Sequence, residues 1–199
     1  MQGLSKLKRG DIASGAKQQG APFTRRRNEI PPTLSVVIPA FNEVENLPVL
    51  HERLGAILPE LADKYEIIFV DDGSTDGSLE VLKNLHAEDP RVRVISFRKN
   101  YGKSAALNAG FDAAQGRYVI TLDADLQDDP TELPALLDAV EKGNDVVVGW
   151  KNPRRDSFSR ILASRLFNLL ASATAGRRFH DCNSGFKVLR RDVVEHLDL

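Results

Sequence analysis

Five short runs rich in valine and isoleucine follow Pro31-Pro32: LSVVI (34–38), YEIIFV (65–70), RVRVIS (91–96), RYVITL (117–122) and NDVVVGW (144–150). Runs of this length and β-branched content predict strands. Between them lie stretches with helical character near 44–58, 76–88, 102–115 and 130–142. Thr75 or Asp76 stands where a cap for the second is needed, and Asp129-Pro130 with Glu132 opens the fourth. Gly116 and Gly143 sit just past helix ends, the usual place of a left-handed C-cap. Strand-helix alternation over 34–150 leaves βαβ units as the economical solution, hence an α/β fold with a mostly parallel central sheet flanked by helices. A further helix over 158–175 is predicted from Phe158, Ile161, Leu162, Leu166, Leu169 and Leu170, with Arg160 and Arg165 between them. The chain stops at Leu199 inside a helical pattern begun at Arg191-Asp192, as expected of a domain truncated at its C-terminal end.

Composition fits this class. With 42% hydrophobic and 28% charged residues, a 199-residue chain can bury a sizeable core. Its net charge of −1 gives no footprint for nucleic acid. The charge is unevenly placed, however: residues 1–33 hold Lys6, Lys8, Arg9, Lys17, Arg25, Arg26 and Arg27 against only Asp11 and Glu29, a net +5. That segment lacks periodicity and an apolar core for a signal peptide, so it reads as a disordered basic leader; a polybasic contact to anionic lipid is the alternative. The single cysteine, Cys182, excludes an internal disulfide, and no run of about 18 apolar residues offers a membrane span.

In open α/β sheets, ligands bind beyond the carboxyl ends of the strands. This rule collects PAFNE, DDGSTDG, RKNYGK and DADLQDD on one rim, all of them polar and two of them acidic. Asp123 and Asp125 are two apart, so in an extended segment they point the same way, with Gln127 following on that side. Two carboxylates sharing a site repel unless a cation lies between them, and Mg2+ or Mn2+ characteristically binds one or two carboxylates plus substrate phosphates. A solvated acidic loop, with Asp128 and Asp129 at the next helix N-terminus, explains the same residues without a metal. Lys103, at a helix N-terminus, is either a phosphate contact or an exposed lysine.

Spacing excludes several chemistries and weakens one that survives. A calcium loop begun at Asp123 would need Gly and Glu where Asp128 and Pro134 stand. The GKS at 102–104 is not a Walker A motif, because the required upstream Gly is Phe97. An aspartyl-phosphate phosphatase is weakened by Gln127 at its fifth motif position. No Gly-x-Gly-x-x-Gly, Gly-x-Ser-x-Gly or CxxC occurs, and His51, His86, His180 and His196 show no metal spacing.

Five ordered motifs together resemble a known family: VVIPAFNE (36–43), VDDGSTDGS (70–78), RKNYGKSAALNAGF (98–111), LDADLQDDP (122–130) and DCNSGFKVLRR (181–191). Over residues 34–199 the chain is similar to family 2 glycosyltransferases of the GT-A fold, in particular the polyprenyl-phosphate subgroup. The resemblance implies inverting, metal-dependent transfer of a sugar from a nucleotide-sugar, with UDP favoured over GDP, to a polyprenyl phosphate. By the same resemblance, Pro39, Ala40, Phe41, Glu43, Val70, Asp72, Lys103 and Ala124 hold the nucleotide. Asp123, Asp125 and Gln127 bind Mg2+ or Mn2+, and Asp125, Asp181 and Lys103 are the catalytic candidates. Lys151, Arg154, Arg155 and Arg165 meet the acceptor phosphate, which needs cations more than a base because it is already an anion. Attachment at the cytoplasmic membrane face and a homo-oligomer are further expectations. The alternatives are a GT-A transferase acting on a polysaccharide or other glycan, and a non-catalytic nucleotide-binding or membrane-adaptor domain. Phe41 departs from a more frequent tyrosine, and the further sequence and membrane-associated helices of relatives have no counterpart here.

Overall fold

The computed structural model of the protein describes residues 33–149 and 185–196. The basic leader, the helix expected over 158–175, and Lys151, Arg154, Arg155, Arg165, Asp181 and Cys182 lie outside the described residues. The elements in chain order are β1 (Leu34–Ala40), α1 (Asn46–Leu61), β2 (Tyr65–Asp71), α2 (Ser78–Glu88), β3 (Val92–Ser96), α3 (Lys103–Ala113) and β4 (Tyr118–Thr121). A 3-10 turn (Pro130–Glu132) then leads into α4 (Leu133–Glu141), followed by β5 (Val146–Val148), β6 (Lys187–Arg190) and the short α5 (Arg191–Val194).

The sheet runs β3-β2-β1-β4-β6-β5. β1 pairs in parallel with both β2 and β4, and β2 with β3. β6 is antiparallel to its neighbours β4 and β5. The mostly parallel sheet expected from the alternation is present. The motif reading leaves KVLR without a strand, yet it separates β4 from β5. Its two apolar residues are adjacent, so Val188 enters one core and Leu189 the other, and no alternation announces the strand.

Alternating strand residues feed two cores, which is why the parallel strands read as continuous apolar runs. On one face Leu34, Val36, Ile38, Ile67, Phe69 and Ile120 pack against the fully buried Leu47, Leu50, Leu54 and Leu58 of α1. Those leucines recur at helical spacing, and truncating one to alanine would cost about 2–5 kcal/mol. On the other face Val37, Ile68, Val70 and Val119 pack with Ala106 of α3.

The element ends show how local chemistry places the loops. α2 starts at Ser78 with Gly77 before it, and the Asp76 carboxylate accepts from Ser78 N (3.0 Å) and Oγ (2.6 Å). The N-cap position thus falls to Gly77, in the left-handed conformation, and not to Thr75 or Asp76, whose carboxylate only takes up the Ser78 groups. The Ser78 hydroxyl holds that carboxyl below the usual carboxylate range. Asp129 caps the 3-10 turn by accepting from Thr131 N at 3.0 Å, a backbone bond that also lowers its pKa. Gly143 takes the left-handed conformation expected of it (φ +103°). Gly116 does not: a Cβ there would stand 2.5 Å from Ser35 N, so close packing on β1 sets that residue. No helix among the described residues is long and apolar enough to cross a membrane.

Candidate functional site

From β1 the chain builds outward through β2 and β3, then crosses to β4 on the other side of β1. The order reverses between β1 and β4, so a crevice opens at their carboxyl ends. A cavity of about 260 Å³ lies there. The β1 end supplies Pro39, Ala40, Phe41 and Glu43, and the β2 end supplies Asp72. Asn100, Gly102, Lys103 and Ala106 come from the loop after β3 and from α3, and Asp123, Ala124 and Asp125 from the end of β4. All four segments assigned to the rim from sequence contribute.

The rim loops are tied to one another by backbone groups. Asn42 N donates to Ser74 Oγ (3.0 Å), while Asn42 Oδ1 accepts from Thr75 N (2.9 Å). Glu43 N donates to Ser78 Oγ (2.9 Å) and Val44 N to Asp76 Oδ2 (3.1 Å). Gly73 has φ +74°, and a Cβ there would lie 2.3–2.7 Å from the backbone of Lys99 and Asn100. The loop after β3 therefore rests directly on the β2 turn. Asp72, 4% exposed, borders the cavity while its carboxylate accepts from Tyr101 N (2.7 Å) and Gly102 N (2.8 Å). Its neighbour Asp71 is turned inward, accepting from Ser74 N (3.2 Å) and Ser96 Oγ (3.1 Å). These bonds fix the start of α3, where Lys103 reaches across to Asp123 (Nζ–Oδ1 2.5 Å).

The acidic segment after β4 is a tight turn, not an extended stretch. Leu126 takes φ +60°, and Gln127 N donates to Asp125 Oδ1 at 3.1 Å. A leucine in the left-handed region costs roughly 1–2 kcal/mol, a strain that surrounding structure must hold. Asp123 and Asp125 both face the cavity, whereas Gln127 is exposed and outside its lining. Val70 is fully buried in the α3-side core, also outside the lining. Pro39, Ala40, Phe41, Glu43, Asp72, Lys103, Ala124, Asp123 and Asp125 are thus brought together. Asn100, Gly102 and Ala106 join them without having been singled out. Their signal was present, since all three fall within the RKNYGKSAALNAGF motif.

Four carboxylates, Glu43, Asp72, Asp123 and Asp125, and the Lys103 ammonium line this cavity. Among the described residues no group of three or more His, Cys, Asp or Glu is placed to cage a cation alone. Asp123 and Asp125 do fit a hard divalent ion that draws most of its oxygen ligands from a bound diphosphate and water. That ion would neutralise the diphosphate charge, while Lys103 offers a second positive group from the helix start.

Residues 35–198 match the model of the family described as glycosyl transferase family 2. An undecaprenyl-phosphate 4-deoxy-4-formamido-L-arabinose transferase from Yersinia enterocolitica is 42% identical over 164 residues, which are 81% of this chain and 50% of that relative. The enzyme of the same name from Pseudomonas fluorescens is 44% identical over 163 residues, 81% of this chain and 48% of its own. The chain thus spans about half the length of the curated relatives it matches. Among solved structures, glucosyl-3-phosphoglycerate synthase from Mycobacterium tuberculosis, in complex with Mn2+ and UDP-Glc, is similar with a TM-score of 0.63 at 25% identity. That match covers 83% of this chain and 58% of the other. A mannosyltransferase from Pyrobaculum calidifontis, in complex with GDP-Man and Mn2+, shares the fold at a TM-score of 0.55 and 24% identity, over 83% and 46% of the two chains.

Proposed function

Because this chain belongs to glycosyltransferase family 2 and has the GT-A fold, we propose that its carboxyl-terminal rim is the donor half-site of a polyprenyl-phosphate sugar transferase. The observation that carries the reading is the convergence of Asp123, Asp125 and Lys103 on one side of a cavity walled by Pro39, Ala40, Phe41 and Glu43 on the other. An apolar ring beside backbone groups suits a nucleobase and ribose, and the charged side suits a diphosphate with its cation.

In the proposed reaction an oxygen of the acceptor phosphate attacks C1 of the sugar from the face opposite the diphosphate. The C1–O bond breaks with inversion, and the nucleoside diphosphate leaves with the bonding pair. Mg2+ or Mn2+, when bound, would stabilise the charge developing on that leaving group. Within the chain, Asp123 and Asp125 hold the cation, and Lys103 stabilises the departing diphosphate. Asp72 holds the loop that carries Lys103, and its position beside the cavity keeps it available to the base. Gln127 and Val70 remain sequence-based members of the metal and nucleotide sets. The acceptor phosphate is already ionised, so cations matter more than a base. Lys151, Arg154, Arg155 and Arg165 are proposed for that role, with Asp181 as a carboxylate beside the acceptor. UDP is the favoured nucleotide, and the cytoplasmic membrane face is the proposed location because the acceptor is a lipid.

The test is a transfer assay with UDP-sugars and undecaprenyl phosphate in detergent micelles, separating lipid-linked sugar from free nucleotide. Lipid-linked product that requires divalent metal and disappears in Asp125→Ala supports the reading. Nucleotide release only with a glycan acceptor would redirect it to a polysaccharide transferase. Metal-dependent nucleotide binding with no transfer to any acceptor would mark a non-catalytic domain.

A further inference from the structure

Gly185 lies just before β6, remote in sequence from the acidic turn, yet its Cα faces the Asp123 carboxylate. A Cβ on it would stand 2.4 Å from Oδ2 and 2.5 Å from Cγ and Oδ1 of Asp123. The residue does not use a positive φ, so space, not backbone conformation, is what excludes a side chain there. Two bonds hold the segment in place. Thr121 Oγ1, at the end of β4, donates to Gly185 O at 2.6 Å, and Gly149 N donates to Phe186 O at 2.8 Å. Phe186 is 2% exposed and packed in the core beside Gly149, so the strand end cannot drift without disturbing that packing. The same Asp123 Oδ1 meets Lys103 Nζ at 2.5 Å.

We propose that Gly185, pinned by the Thr121 hydroxyl, is a positioning residue for Asp123: its bare Cα lets the carboxylate lie where a divalent cation and Lys103 both reach it. This inference rests on the donor-site reading above. The atoms an added methyl at Gly185 would meet first all belong to the Asp123 carboxylate, and the backbone there has no positive φ to penalise alanine. The consequence therefore falls on the cation site and not on the fold. Groups that orient a metal ligand in this way usually change metal affinity about 10–100-fold when altered.

The experiment is a calorimetric titration of the whole chain with UDP, with and without Mn2+, together with Tm for each variant. In Gly185→Ala the Mn2+-dependent gain in UDP affinity falls by about 10-fold or more, while metal-free UDP binding and Tm stay near wild type. Thr121→Val, which removes the hydroxyl at nearly constant volume, loses part of the same gain, and Thr121→Ser retains it. An undiminished gain in Gly185→Ala overturns the proposal, as does an equal loss of metal-free binding. If Gly185→Ala does not fold, Thr121→Val decides, and a full gain there overturns the proposal. If the wild-type chain binds no UDP or GDP in any condition, the donor-site reading falls and this inference falls with it. Normal binding in wild type and Gly185→Ala alike removes only the inference.

Discussion

At the amino-terminal edge of the sheet Glu66 is surrounded by protein donors: Ser35 Oγ at 2.6 Å, Gln115 N at 2.7 Å and the Arg93 guanidinium. Arg93 in turn donates to Ala113 O at 2.9 Å, and Gly116 N to Ser35 Oγ at 2.7 Å, which locks the end of α3 onto β1 and β2. A second cluster at that edge joins Asp89 to Arg91 and His51, with Arg91 also reaching Tyr65. At the opposite rim Asp123 and Asp125 line an open cavity, with Lys103 the cation beside Asp123. Both edges carry buried or half-buried acids. At one edge the charge is answered by the protein itself and serves stability. At the other it faces a space where a ligand can answer it, and that is what separates a binding rim from a structural one.

The comparison breaks most visibly through the rim acids. Asp123→Asn or Asp125→Ala should lower Mn2+-dependent UDP affinity by about 100-fold or more while leaving Tm near wild type, as read by calorimetry and thermal unfolding. The reverse pattern is expected at the closed edge. Arg93→Met leaves Glu66 without its guanidinium and should destabilise the fold by about 3–5 kcal/mol in urea unfolding, with nucleotide affinity of the folded protein unchanged. A loss of affinity without loss of stability would mean that the two edges are not separate in function.

The Asp89 cluster gives a smaller, pH-dependent effect. Burial pushes the Asp89 carboxyl up, but hydrogen bonds from Arg91 and His51 outweigh it and hold the group down to about 2. A folded-state value below the unfolded one means the stabilisation is complete above about pH 4 and is lost as pH falls toward 2. Asp89→Asn should therefore flatten the acid limb of the stability curve, measured by denaturant unfolding between those values. The smallest effect is expected at Lys142–Asp138, an i,i+4 pair whose side chains are 69% and 61% exposed. Lys142→Ala should change neither Tm nor UDP binding measurably.

Much of this organisation was legible in the chain. Val/Ile runs and their spacing specify β1 to β4, because strands buried on both faces need continuous apolar residues. The carboxyl-end rule then gathers the four loops without any contact information. β6 was hidden because KVLR offers only two apolar residues, one for each core, and a strand that short is specified by its neighbours. The turn at Ala124–Leu126 was hidden because leucine does not signal a positive φ, so Gln127 was expected beside the two acids. The bonds from Tyr101 N and Gly102 N to Asp72, and the seat of Asp123 on Gly185, join residues about 30 and 60 positions apart. No local pattern encodes them.

The most direct measurement is an isothermal titration of the chain with UDP and with GDP, each with and without Mn2+. Metal-dependent binding of one nucleotide, UDP by expectation, that is abolished in Asp125→Ala is the predicted result. Nucleotide binding that is indifferent to Mn2+ and to Asp125, or no binding of either nucleotide, would contradict a donor half-site at this rim.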